Sequence, residues 1–174
     1  MKKVLYVLTL ASALLLSSCA KEEPGGTAVE QMAGQWYVEV VGCDADGSVL
    51  YEDEDLFGLG RFILLTYNTN ANSSSEMYID DQANFWEFKV RVDINQNDMT
   101  FSNAKGTKSE VVDYEIETVI SNGSIVKNGT KTSSGRVADA IEFDIAFEDD
   151  DYAGVYYDHL HIRGWRYTGF TEDD

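Results

Sequence analysis

Apolar and polar residues alternate with period two along most of this chain, the pattern of half-buried β-strands rather than helices. The clearest run is Phe85-Trp86-Glu87-Phe88-Lys89-Val90-Arg91-Val92-Asp93-Ile94. Trp86, Phe88, Val90, Val92 and Ile94 share one face, and the charged residues share the other. Ile141, Phe143, Ile145 and Phe147 repeat this against Glu142, Asp144 and Glu148; Tyr114, Ile116, Thr118 and Ile120 do so against Asp113, Glu115 and Glu117. Trp36, Val38 and Val40 form the inward face of a first strand. Arg61 to Asn68 is apolar almost throughout, as expected of a strand covered on both sides. Asp46-Gly47, Asn122-Gly123 and Asn128-Gly129 are pairs that favour tight hairpin turns, and Asn95-Gln96-Asn97-Asp98 reads as another turn. Beyond the N-terminal segment, helical spacing is confined to Val29–Ala33.

About eight strands with one apolar and one charged face each must close or stack to bury the apolar faces. The expected fold is all-β: a single antiparallel barrel over residues 31–174, with a two-sheet β-sandwich as the alternative.

Residues 1–18 stand apart. Met1-Lys2-Lys3 precedes an apolar run, Val4 to Leu16, that is too short for a permanent membrane span and reads as a signal peptide. Cys19 follows Leu16-Ser17-Ser18 as in a bacterial lipobox, where the Cys is acylated (by chains such as palmitate) and begins the mature protein. Ala20 carries no inner-membrane retention charge. Lys21-Glu22-Glu23 resembles the surface-export signal of Bacteroidetes lipoproteins; the alternative is a plain polar tether. With Pro24-Gly25-Gly26, residues 19–30 form the lipidated Cys and a flexible spacer. The expected location is the outer membrane, lipid-anchored and exposed at the cell surface.

The net charge of −18 opposes nucleic-acid binding, which needs a basic footprint, and opposes a domain lying flat on anionic lipid. With Cys19 acylated, Cys43 is the remaining cysteine, so no internal disulfide forms; it reads as a small core residue.

Gly34-Gln35-Trp36-Tyr37 resembles the first-strand Gly-x-Trp of lipocalin-like barrels, in which the Trp plugs the closed end. Further stretches are similar to the Bacteroidetes lipoproteins called lipid-binding putative hydrolases. They are Thr66-Tyr67-Asn68-Thr69 with Asn72; Met77-Tyr78-Ile79-Asp80-Asp81; Phe85-Trp86 with Phe88-Lys89; and Gly164-Trp165-Arg166-Tyr167-Thr168-Gly169-Phe170-Thr171-Glu172-Asp173. Tyr78 stands where that family has Trp, and Tyr167 where it has a basic residue. The resemblance implies a lipocalin-like barrel of about eight strands and a lipophilic ligand. It brings no catalytic residues.

Hydrolytic chemistry needs an activated nucleophile or a metal-bound water, and neither Gly-x-Ser-x-Gly nor His-Glu-x-x-His occurs. His159 and His161, two apart on the last strand, offer two metal ligands or a polar pocket wall. Leu160 and Ile162 are favoured for the core face, which sets the histidines outside beside Arg163, a neighbour that disfavours a cation; alternation alone leaves either face of this strand free to point inward. No metal and no cofactor are therefore expected. Asp44-Ala45-Asp46-Gly47-Ser48, with Asp53, Glu54 and Asp55 downstream, fails the order of a calcium loop, because Ser48 and Val49 occupy the third acidic and the glycine positions. Asp80-Asp81 and Glu148-Asp149-Asp150-Asp151 read as solvated loop ends, with calcium ligation the weaker alternative; Asp80 is the exception, read as a structural cap or a loop hydrogen bond at a barrel mouth. Trp36, Trp86, Phe88, Tyr114 and Phe143, with Phe147, are the candidate ligand-binding residues of the barrel interior, and Tyr114 and Thr118 its polar groups. The same side chains would equally fill an eight-stranded barrel. The reading is a lipid-anchored, non-catalytic barrel that binds a small lipophilic ligand. The alternatives are a hydrolase of lipid or ester substrates and a filled-barrel surface interaction protein. No protein partner is indicated.

Overall fold

Strands with a single apolar face need a closed sheet, and the chain provides one. The computed structural model describes residues 26–51, 55–103 and 105–173. Residues 1–18, Cys19, Lys21-Glu22-Glu23, Asp53 and Glu54 lie outside these. Ten strands follow in order: β1 (Gly34–Cys43), β2 (Val49–Leu50), β3 (Phe62–Asn68), β4 (Glu76–Asp80), β5 (Lys89–Asn95), β6 (Thr100–Ser102), β7 (Thr107–Lys108), β8 (Glu117–Lys131), β9 (Val137–Phe147) and β10 (His159–Arg166). Antiparallel pairing runs β10-β9-β8-β6-β5-β4-β3-β1, and β1 pairs back onto β10 from Trp36–Arg166 to Cys43–His159. That seam makes an eight-stranded barrel and excludes the two-sheet sandwich. β2 lies on β1 and β7 on β8, outside the ring.

The alternating residues fall inside as the period requires. Trp36, Val38, Leu64, Met77, Ile79, Phe88, Val90, Ile120, Phe143 and Ile162 have no surface that water can reach. β3 also alternates, with Phe62, Leu64 and Thr66 buried and their neighbours half-buried, so it is not covered on both sides. Burying each large apolar side chain contributes roughly 1.5–3 kcal/mol before conformational entropy is subtracted. Val29 and Met32 already belong to this core, and the Val29–Ala33 turn closes with the Ala33 N–H on the Val29 carbonyl at 2.9 Å.

Three local expectations change. Asn122-Gly123 and Asn128-Gly129 are not hairpin turns: β8 runs through both, and they are bulges against β9. Asn122 and Asn128 each have φ 53°, the left-handed backbone that a bulge and a primed hairpin turn both use. The ladder on both sides of β8 decides for the bulge. The run from Phe85 does not become a strand until Lys89, because Phe85–Phe88 is bent into a loop with Glu87 at φ 56°. Tyr114 and Ile116 precede the start of β8 at Glu117 and are not strand residues. By contrast Asp46-Gly47 is a true hairpin turn, with Gly47 at φ 83° donating to the Asp44 carbonyl at 3.0 Å.

Candidate functional site

The two ends of the barrel differ in chemistry. At the closed end the Trp36 indole N–H donates to Thr66 Oγ1 at 2.9 Å, and that hydroxyl donates to the Met32 carbonyl at 2.7 Å. Arg166 lies 4.4 Å above the Trp36 ring and donates to the Ala33 carbonyl at 2.8 Å and to Asp139 at 3.1 Å. Thr69 donates to Glu76 at 2.6 Å, and Asn72 holds the Ala28 N–H at 2.9 Å. These residues seal the end where the chain enters.

The other end carries the loops between β2 and β3, β4 and β5, β6 and β8, and β9 and β10. Asp81 organises it. Fully buried, its carboxylate accepts the backbone N–H groups of Ala83, Phe85, Trp86, Glu87 and Phe88 at 2.8–3.0 Å. Reading Asp81 as a solvated loop end is thus corrected: just past β4 the chain turns and wraps its own amides around the carboxylate. Asp80 takes the Tyr67 hydroxyl at 2.6 Å and the Gln82 N–H at 2.8 Å, the loop-capping contact expected of it.

The bend that Asp81 imposes stacks aromatics over the barrel end. Trp86 lies flat on Phe147, centroids 4.7 Å apart and planes at 3°. Phe57 meets Phe85 edge-on at 5.1 Å, Trp86 at 6.0 Å and Tyr157 at 6.4 Å. Beside Phe57 and Tyr157 opens a groove of about 430 Å³ walled by Leu56, Tyr152 and Tyr156. Tyr152 and Tyr156 are each 54% exposed, and with neighbouring Val155 at 71% they form a contiguous apolar stretch on this loop. A larger depression of about 640 Å³ lies on the barrel flank along β5, β6, β8 and β9, where Asp93, Asn95, Asn122 and Glu142 line it together with Ile94 and Phe101.

Carboxylates fasten the aromatic rim. Asp149 accepts the Trp86 indole N–H at 2.9 Å and the Tyr114 hydroxyl at 2.5 Å. Burial alone would raise its pKa, but the two donors outweigh that and hold Asp149 below the ordinary carboxylate range. Burial first, and then the Asp149 hydrogen bond and charge, push Tyr114 up to about 12. Asp150 takes the Tyr157 hydroxyl at 2.8 and 3.0 Å, and burial together with that carboxylate raises the Tyr157 pKa.

The sequence candidates therefore divide. Trp36, Phe88 and Phe143 meet in the barrel interior, where a side chain that water cannot reach borders no hole able to admit water. Trp86 and Tyr114 do not join them; they stand at the open end, half-buried, because their segments are loops. The Thr118 hydroxyl is buried with no hydrogen-bond partner. Leu56, Phe57, Tyr152, Tyr156 and Tyr157 were missed. They lack a strand's alternation, and only their aromatic density within loops marked them.

His159 and His161 face outward, as Leu160 and Ile162 require. His161 Nδ1 is 2.7 Å and His159 Nε2 3.7 Å from the same Asp144 oxygen, and Asn122 donates to the other at 2.6 Å. Burial raises the Asp144 pKa, but Asn122 and the two histidines reverse it to below the usual range. Among the described residues no Ser, Thr or Cys is hydrogen-bonded to either histidine, and no trio of His, Cys, Asp or Glu is arranged to hold a metal. Cys43 is buried on the outer face of β1 and its pKa is raised, chiefly by burial and next by Asp144.

A family model described as lipid-binding putative hydrolase matches residues 21–171. No curated protein matches the chain.

Proposed function

The chain belongs to the lipid-binding putative hydrolase family, and on that premise we propose that it binds a lipophilic ligand without catalysis, at the open end of the barrel rather than inside it. The observation carrying this reading is the contrast between a filled interior and an aromatic groove of about 430 Å³, which falls in the usual size range of ligand sites. Support for a non-catalytic role comes from the outward histidines, which Asp144 engages.

The lipobox pattern at Cys19 supports a lipid anchor, and Lys21-Glu22-Glu23 supports export to the outer surface of the outer membrane.

Titrating the chain from Ala20 onward with dodecyl maltoside below its micelle concentration, with tryptophan fluorescence as the signal, tests the site. Saturable binding is expected. Tyr156→Ser should weaken it about tenfold, since removing one aromatic contact is worth about 1.4 kcal/mol or more. Phe143→Leu, which loosens the interior, should leave it within about twofold. Affinity that follows Phe143 and ignores Tyr156 would move the ligand inside the barrel, and absence of saturable binding would overturn the reading.

A further inference from the structure

Charge at the groove points to the class of ligand. The β9–β10 connection, 148–158, reads Glu-Asp-Asp-Asp-Tyr-Ala-Gly-Val-Tyr-Tyr-Asp: five acidic residues and no basic one. Asp150 is fixed against the groove by the Tyr157 hydroxyl and by the backbone N–H of Tyr152 at 3.0 Å. Among the described residues, none of Asp149, Asp150 and Asp151 has a Lys, Arg or His ion-pair partner, although Arg–carboxylate pairs are frequent elsewhere. Tyr152 and Tyr156 stand with ring centroids 5.9 Å apart at 52°, and Phe57 packs edge-on against Tyr157 at the same groove. Exposed tyrosine rings lining a groove whose flanking loop carries only negative charge attract a cation through the ring quadrupole and the net charge together, whereas an anionic head is repelled.

We propose that the groove selects single-chain amphiphiles with a cationic head, a quaternary ammonium or a primary amine. The alkyl chain lies along Leu56 and Phe57, and the head sits between Tyr156 and the Asp150 side of the loop. This rests on the reading of the open end as the ligand site.

Three probes of equal chain length separate the two ideas: dodecyltrimethylammonium, dodecyl maltoside and dodecanoate. Each is titrated below its micelle concentration into the chain from Ala20 onward at 150 mM salt, by calorimetry. The cationic probe should bind at least about tenfold tighter than the maltoside, with dodecanoate weakest. Tyr156→Leu keeps the wall apolar but removes a π face, and should cut the preference to within about threefold while maltoside binding persists. Equal binding of cationic and neutral probes overturns the head-group selection and leaves the groove standing. A preference undiminished in Tyr156→Leu overturns it too, because overall negative charge would then account for the effect. If no probe binds, the groove reading and the selection fall together.

Discussion

Asp173 shows how much one side chain contributes at the closed end. Buried in the final turn, it accepts the hydroxyls of Thr132 at 2.7 Å and Thr168 at 2.6 Å and that of Ser134, with Arg136 3.5 Å away. Those donors, Ser134 foremost, lower its pKa from the ordinary 3.8 to about 2. A carboxylate depressed on folding stabilises above its unfolded pKa, and the contribution fades as pH falls through the folded one. The melting-temperature gap between the wild type and Asp173→Asn should therefore be full at pH 7 and shrink between about pH 4 and pH 2. Thermal melts across that range check it; a constant gap would mean the carboxylate is not the source. The sequence marked Asp173 only as the end of a family-like motif, and its latch depends on hydroxyls up to 41 positions away. Asp80 and Asp81 teach the same lesson at short range. Adjacent and chemically identical, they differ in which one the chain wraps, and that follows from the turn after β4 rather than from composition.

Elements were more legible where period two held over a full strand. β1, β5 and β9 have the inward faces that alternation assigns, because a one-residue slip would turn an entire apolar set to water. Where alternation ran past a strand end, as at Phe85–Phe88 and Tyr114–Ile116, it misled, since loop aromatics can match the period while serving a bend. The bulges of β8 were legible as left-handed Asn-Gly pairs but not as bulges. Gly123 tests their packing. A Cβ there would stand 2.3 Å from the Phe101 ring and 2.6 Å from the Phe101 carbonyl oxygen. Gly123→Ala should destabilise by about 2 kcal/mol through overpacking, whereas Asn128→Gly, at φ 53° in the other bulge, should cost far less. Urea denaturation of the two variants distinguishes them; equal losses would contradict a packing origin.

The whole molecule carries −18, with carboxylates crowded at the open end. Such self-repulsion opposes the compact state and is screened by salt over about 10 Å at 0.1 M. Melting temperature should therefore rise by several degrees between about 10 and 200 mM sodium chloride, with most of the gain at the low end. A flat or falling curve would show that the ion pairs, which salt weakens, outweigh the repulsion. Closure of the barrel was anticipated from the need to hide sheet edges. The proposed seat of the ligand was not, since a filled interior and an open aromatic rim draw on the same residue types.

The seam between β1 and β10 also sets an order in time. Arg166 reaches Ala33 across 133 residues of chain, so the contacts that complete the ring are among the most distant in sequence. While the chain emerges from the ribosome, β1, β3, β4 and β5 can pair as they appear, yet the growing sheet keeps two bare edges until β10 arrives. Its most vulnerable state is thus the nearly finished one. The last strand ends that exposure.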